Sequence, residues 1–193
     1  MDNNKPIIRL ALIFYSIMFI ASLMWVYFSD ISFSFSFNKP VTFIMSCLLS
    51  FIIVSGTIYY SIYTKNKFKW AARLEESISK VLGHLDKHTI IVLALLSAIG
   101  EEFFFRGAVQ AEFGYIFASL IFGSIHFIPQ KTFIPWTIFA IVMGFILGWL
   151  YIYSENLLFP MITHGGINYI NLIRICNINN AISQAQNDRG TEV

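Results

Sequence analysis

The chain has 193 residues, enough for one domain of ordinary size, with 13 Lys and Arg against 11 Asp and Glu. Hydrophobic residues make up 56% and charged ones 12%, about half the charge that a soluble domain carries. So few charges exclude an ordinary soluble fold, and the clustering of the basic residues in a few loops speaks against a nucleic-acid groove.

A bilayer core about 30 Å thick needs about 20 helical residues, and this ruler predicts six spans. The first, from Ile7 to Phe28, is too long for a signal-peptide core and reads as a retained anchor. Ser and Phe then alternate from Ile31 to Phe37, a pattern that fits a short strand or an extended linker placing aromatics at the interface. The second span runs from Val41 to Tyr63. From Lys65 to His88 a charged stretch carries Phe68, Ala72, Leu74, Ile78, Val81, Leu82 and Leu85 at helical spacing, which predicts an amphipathic helix on the membrane surface. Its His84 and His88 are four apart, but no third ligand accompanies them, so they read as interfacial histidines. The remaining spans are Thr89 to Gln110, a short one from Phe113 to Ile128, Phe133 to Tyr153, and Leu157 to Cys176. Residues 177–193 form a polar tail expected to be loose. Cys47 and Cys176 both lie in apolar runs and read as small buried hydrophobes.

The expected architecture is therefore an all-α polytopic membrane bundle of about six helices plus one cytoplasmic amphipathic helix. Residues 1–64 supply two N-terminal spans, 65–88 the surface linker, 89–176 the core and 177–193 the tail. Six spans place Lys5, Arg9, Lys131, Arg174, Arg189 and the six basic residues of the 65–88 linker on one side. Lys39 stands alone on the other, and Arg106 lies within a span. A Lys/Arg excess marks the cytoplasmic side, so both termini are expected there.

Ionisable residues inside spans are expensive, each near +2.5 to +3.5 kcal/mol at mid-membrane, and mark functional sites. The third span contains Glu101, Glu102 and Arg106. Glu102 and Arg106 are four apart on one face and should pair, which assigns them mainly to structure. Glu101, about 100° away on the face of Ser97 and Ala98, is left for chemistry, as a base for water. The fourth span offers His126, which alone reads more readily as a structural histidine. In the sixth, His164 and Asn168 share one face, separated by Gly165 and Gly166. That pair fits either a close helix contact or an interhelical hydrogen-bond staple. Glu101, His126 and Asn168 fall in one broad central layer, with His164 nearer the outer side, so a bundle can gather them around one cavity. A carboxylate, two imidazoles and an amide make a set for hydrolysis.

The three motifs in order, Glu101-Glu102-x-x-x-Arg106, Phe122-x-x-x-His126 and His164-x-x-x-Asn168, resemble those of the CPBP family of intramembrane endopeptidases. That family, also called Abi, includes CAAX prenyl endopeptidases and bacteriocin-processing or self-immunity proteins. The resemblance covers Ser97 to Asn168. It implies that Glu101 and His126 activate a water, that His164 and Asn168 stabilise the oxyanion, and that Glu102 with Arg106 supports the site helix. Glu101, His126 and His164 are also a zinc set in type, and the family has been described both as metallopeptidases and as metal-independent glutamate peptidases. The reading here favours no tightly bound metal. The chain is short for the family's prenyl-protein enzymes. The implied substrate is another membrane-bound protein or peptide in a prokaryotic cell membrane, with the lipid bilayer as partner and no nucleic acid. Two readings from other classes compete: an ion or proton-relay transporter, and a non-catalytic immunity or partner-binding protein.

Overall fold

In a computed structural model the backbone is described for residues 4–190, with side chains to Ile178 and at Asn180. The described residues form a helical bundle: α1 (Lys5–Phe28), α2 (Pro40–Lys67), α3 (Lys69–Leu82), α4 (Lys87–Glu102), α5 (Gln110–Phe113), α6 (Tyr115–Ser124), α7 (Ile134–Ser154) and α8 (Leu158–Gly190). Proline near the first turn starts α1, α2 and α7, where its missing N–H costs nothing. Asp86 caps α4 by accepting the Thr89 N–H at 2.8 Å and also receives the Asn4 amide at 2.8 Å, fastening the start of α1 to that of α4. These two bonds, the Thr89 N–H foremost, hold the Asp86 carboxyl down at about 2. Gly83 and Gly114 end α3 and α5 with φ of +66° and +85°, a conformation open to glycine at little cost.

Among the described residues, four helices are long and apolar enough to cross a membrane: Lys5–Phe28, Pro40–Lys67, Lys87–Phe113 and Lys131–Ser154. The other two expected spans look different. The fourth is only the ten-residue α6, about 15 Å of helix, ending at Ser124 rather than Ile128. The sixth is long, but its polar residues keep its hydropathy below that of a simple lipid-facing span. The expected loose tail is also different. α8 continues to Gly190, because nothing between Asn177 and Gly190 breaks a helix and Ala181, Gln184, Ala185 and Gln186 favour one.

Ile31 to Phe37 becomes an extended linker with a single bridge, Phe35 to Asn156, and no strand among the described residues. It docks on the α7–α8 turn. Leu157 N–H donates to Ser34 O at 2.8 Å, Asn156 Nδ2 donates to Ser36 O at 2.9 Å, and Lys39 pairs with Glu155 at 2.6 Å. Its Phe33 and Phe35 rings pack on Phe103, so the alternation serves a tertiary contact with α4's continuation. The amphipathic helix is realised as α3, shorter than the expected stretch because α2 runs through to Lys67. His84 hydrogen-bonds Asn180 at 2.8 Å. Cys176 is buried as expected, whereas Cys47 faces outward from α2.

The bundle is tightest where α6 meets α7. A Cβ added at Gly123 would stand 2.6 Å from Ile141 Cα, and one at Gly144 would stand 2.6 Å from Ser119 O. Small residues allow this approach, which in lipid is the main source of helix–helix attraction. The Gly165–Gly166 pair is looser than the sequence suggests: added Cβ atoms there would meet Ala98 and Val54 at an ordinary 3.4 Å.

Candidate active site

α4 passes without a break into a π-helical segment, Phe103–Val109, immediately after Glu102. Such bulges are uncommon and concentrate at functional sites. Here the wider turn carries Arg106 and leads into Gln110, and both residues reach α7. Arg106 Nη2 donates to Gly144 O at 3.3 Å, and Gln110 Nε2 donates to Gly148 O at 3.1 Å. Donors four apart on one helix thus meet acceptors four apart on the next. Only glycine at 144 and 148 leaves room, since a Cβ at Gly148 would lie 2.8 Å from Gln110 Oε1. The Arg106 guanidinium also sits 4.4 Å from the Phe122 ring centroid, a cation–π contact strengthened by desolvation.

Glu102 is fully buried and faces two basic side chains. Its Oε2 lies 3.1 Å from Arg106 Nε, the pairing expected from their spacing. Its Oε1 lies 2.8 Å from His164 Nδ1, a contact not expected from the sequence. A buried carboxylate needs such partners, because desolvating an unpaired ion costs several kcal/mol. Glu102 is therefore more than a helix support: it fixes the ring of His164. With Nδ1–H committed to Glu102, the His164 Nε2 faces the cavity and donates a hydrogen bond only when the ring is an imidazolium.

Glu101 is buried, and among the described residues its Oε2 has no hydrogen-bond partner. It faces His126 Nε2 at 3.9 Å. Contrary to expectation, His126 does not lie within a helix. α6 stops at Ser124, and His126 occupies the turn that follows, with Pro129 three residues on. Its Nδ1 is 2.7 Å from Phe122 O, so Nδ1 carries a proton and Nε2 is the nitrogen turned toward Glu101. Tyr15 of α1 lies beside Glu101 in the same cavity wall, pressed against Gly100, where an added Cβ would come within 3.0 Å of it. The sequence held no signal for Tyr15, since a tyrosine in an apolar span is ordinary.

Asn168 Nδ2 donates to Ser97 Oγ at 2.9 Å, which ties α8 to α4 and aims the amide. His164 and Asn168 share the face expected for them, yet each is anchored to a different residue of α4. Glu101, His126, His164 and Asn168 all line one cavity of about 1310 Å³, whose remaining walls are largely apolar. It extends from these four residues to the inner face of α3.

Whether this donor set would hold a metal can be tested on its geometry. Nδ1 of each histidine is bonded, His126 to a carbonyl and His164 to Glu102, which leaves Nε2 of each ring free to ligate. Among the described residues no three His, Cys, Asp or Glu side chains converge as ligands. As placed, Glu101, His126 and His164 do not fit a zinc ion, which needs three or four donors about 2.0–2.3 Å from one point.

Residues 86–170 match a family described as type II CAAX prenyl endopeptidase Rce1-like. The matched segment contains all three motifs and the four residues at the cavity's polar end. Over 77 residues the chain is 42% identical to "Uncharacterized protein YpbD" of Bacillus subtilis (strain 168), a stretch covering 39% of each chain. The similarity thus spans about two-fifths of that relative. No solved structure matches.

Proposed function

We infer that this chain, whose residues 86–170 belong to the Rce1-like family of type II CAAX prenyl endopeptidases, is an intramembrane endopeptidase acting on a membrane-associated or lipidated peptide or protein. The observation that carries this reading is the facing of Glu101 Oε2 and His126 Nε2 across 3.9 Å, in a cavity also lined by His164 and Asn168. A gap of that size is too long for a direct hydrogen bond and suits a water that contacts both groups.

In the proposed reaction Glu101 and His126 take a proton from that water as its oxygen bonds to the scissile carbonyl carbon. The carbonyl oxygen becomes an oxyanion, met by the Asn168 amide hydrogen not used on Ser97 and by Nε2–H of a cationic His164. Collapse of the tetrahedral species breaks the C–N bond, and the proton held by Glu101 or His126 passes to the departing amine. Water is consumed, and an acid and an amine leave. Preorganised donors of this kind are commonly the largest contribution to such catalysis. Glu102 holds the His164 ring and, with Arg106, balances charge in a dry site. The distribution of Lys and Arg supports cytoplasmic termini and a cytoplasmic α3.

The test is a comparison of membrane proteomes carrying the wild-type chain or Glu101→Gln at equal abundance. A fragment present only with the wild type is expected. Identical fragment patterns, with a wild-type chain shown to be folded, would refute hydrolysis.

A further inference from the structure

Glu101, His164 and Asn168 stand on α4 and α8, where the helix itself fixes the direction of each Cα–Cβ bond. His126 has no such support. It lies in the turn after α6, and its partly exposed side chain lines the cavity. A group that must face Glu101 from a turn needs its ring held by neighbours.

The first turn of α7 supplies them. Pro135 helps to start that helix, and Trp136 and Thr137 follow it. The Trp136 ring meets the His126 ring in a T-shaped contact with centroids 6.1 Å apart, within the range at which aromatic pairs attract. Phe122 of α6 lies 4.9 Å from the same ring, and its carbonyl holds Nδ1 at 2.7 Å. Thr137 Oγ1 donates to His126 O at 3.4 Å, sharing its hydrogen with Phe133 O at 3.5 Å. The Phe122 ring is itself committed, 4.4 Å from the Arg106 guanidinium and 5.9 Å from the His164 ring. Trp136 lines the cavity beside His126, and neither it nor Thr137 belongs to the three motifs.

We propose that Trp136, supported by Thr137, is a positioning residue that holds the His126 imidazole against Phe122 with Nε2 turned to Glu101. Without the indole the ring is free to turn about its Cβ–Cγ bond, which releases Nδ1 from Phe122 O and moves Nε2 away from the water. A displacement of about 1 Å in a reacting group can cost about a hundredfold in rate. Trp136 acts through His126 and contacts no reacting atom. Its effect on turnover rests on the endopeptidase reading; its hold on the ring does not.

The ring is read by NMR of the full chain in nanodiscs, grown on isotope-labelled histidine and held in alkaline buffer. The His126 signals are assigned by their loss in His126→Gln. Turnover is read in membranes as the rate at which the fragment specific to the wild type appears. The wild type is expected to show His126 as one tautomer, protonated at Nδ1. Trp136→Leu should show a mixture of both tautomers and release the fragment about ten- to a hundredfold more slowly. Trp136→Phe should keep the single tautomer and most of the rate, because a ring still stands there, and Thr137→Val should lose only a few-fold. If Trp136→Leu does not fold, Trp136→Met decides by the same two readouts. A tautomer mixture in the wild type, a single tautomer in Trp136→Leu, or a mixture there with an unchanged rate overturns the proposal. So does a Phe variant as slow as the Leu variant. A wild type that is folded and releases no fragment refutes the endopeptidase, and the tautomers then still decide whether Trp136 holds the ring.

Discussion

Glu102 Oε1 lies 2.8 Å from His164 Nδ1 while Glu102 Oε2 lies 3.1 Å from Arg106 Nε. One carboxylate thus links the site helix, its π-helical continuation and α8. Glu101, the adjacent residue, points away from both partners toward His126. The two glutamates therefore fail differently when changed. Glu101→Gln should abolish cleavage and leave membrane abundance near normal, because Gln keeps the volume and removes only the base. Glu102→Gln leaves Arg106 buried without its counter-charge, a change that costs about 3–5 kcal/mol, and should lower both abundance and the thermal midpoint in detergent. Normal abundance with equal activity loss from both changes would contradict this division.

Asn168 offers a finer test of the site. One amide hydrogen is used on Ser97 Oγ at 2.9 Å, leaving the other for the oxyanion. Asn168→Ala should lower turnover by about 10²–10³ with little change in KM. Ser97→Ala keeps the donor but loosens its aim, so its loss should be smaller, within about tenfold. Steady-state kinetics on one substrate separates them, and a Ser97→Ala defect as large as that of Asn168→Ala would assign both residues to helix packing.

What the sequence discloses follows from range. The Glu102–Arg106 pair is readable because residues four apart on a helix are neighbours, and the spans are readable because length and apolarity suffice. Glu102 with His164, and Asn168 with Ser97, join residues 62 and 71 positions apart, and no local pattern in a single chain encodes such contacts. The π-helical segment Phe103–Val109 reads as ordinary helix because its extra residue leaves no compositional mark. The place of His126 is hidden for a different reason: apolar residues continue through Ile125, Phe127 and Ile128 after the helix has ended. Gly144-x-x-x-Gly148 did carry a readable signal for close helix contact, although its partners Arg106 and Gln110 could not be inferred from it.

The glycine contacts yield a stability prediction with an internal control. A Cβ at Gly144 would meet the Ser119 carbonyl at 2.6 Å, whereas at Gly56 nothing lies within 4 Å. Gly144→Ala should destabilise by about 1–3 kcal/mol, because backbone cannot move aside as a side chain does. Gly56→Ala, in α2, should be neutral or mildly stabilising through its better helix propensity. Thermal unfolding of the two variants in the same detergent checks the contrast, and equal midpoints would mean that α6 and α7 are not packed this closely.

Chelation separates the two accounts of the chemistry. Among the described residues no three His, Cys, Asp or Glu side chains converge as ligands, so carboxylate-activated water is the expected chemistry, and activity should survive a strong chelator. His164→Gln should retain a small fraction of turnover, since its amide can still donate a hydrogen bond. A wild-type preparation holding about one equivalent of zinc, inactivated by chelator and restored by the metal, would show instead that Glu101, His126 and His164 converge as ligands in the working enzyme. In that case His126→Ala should lose metal and activity together.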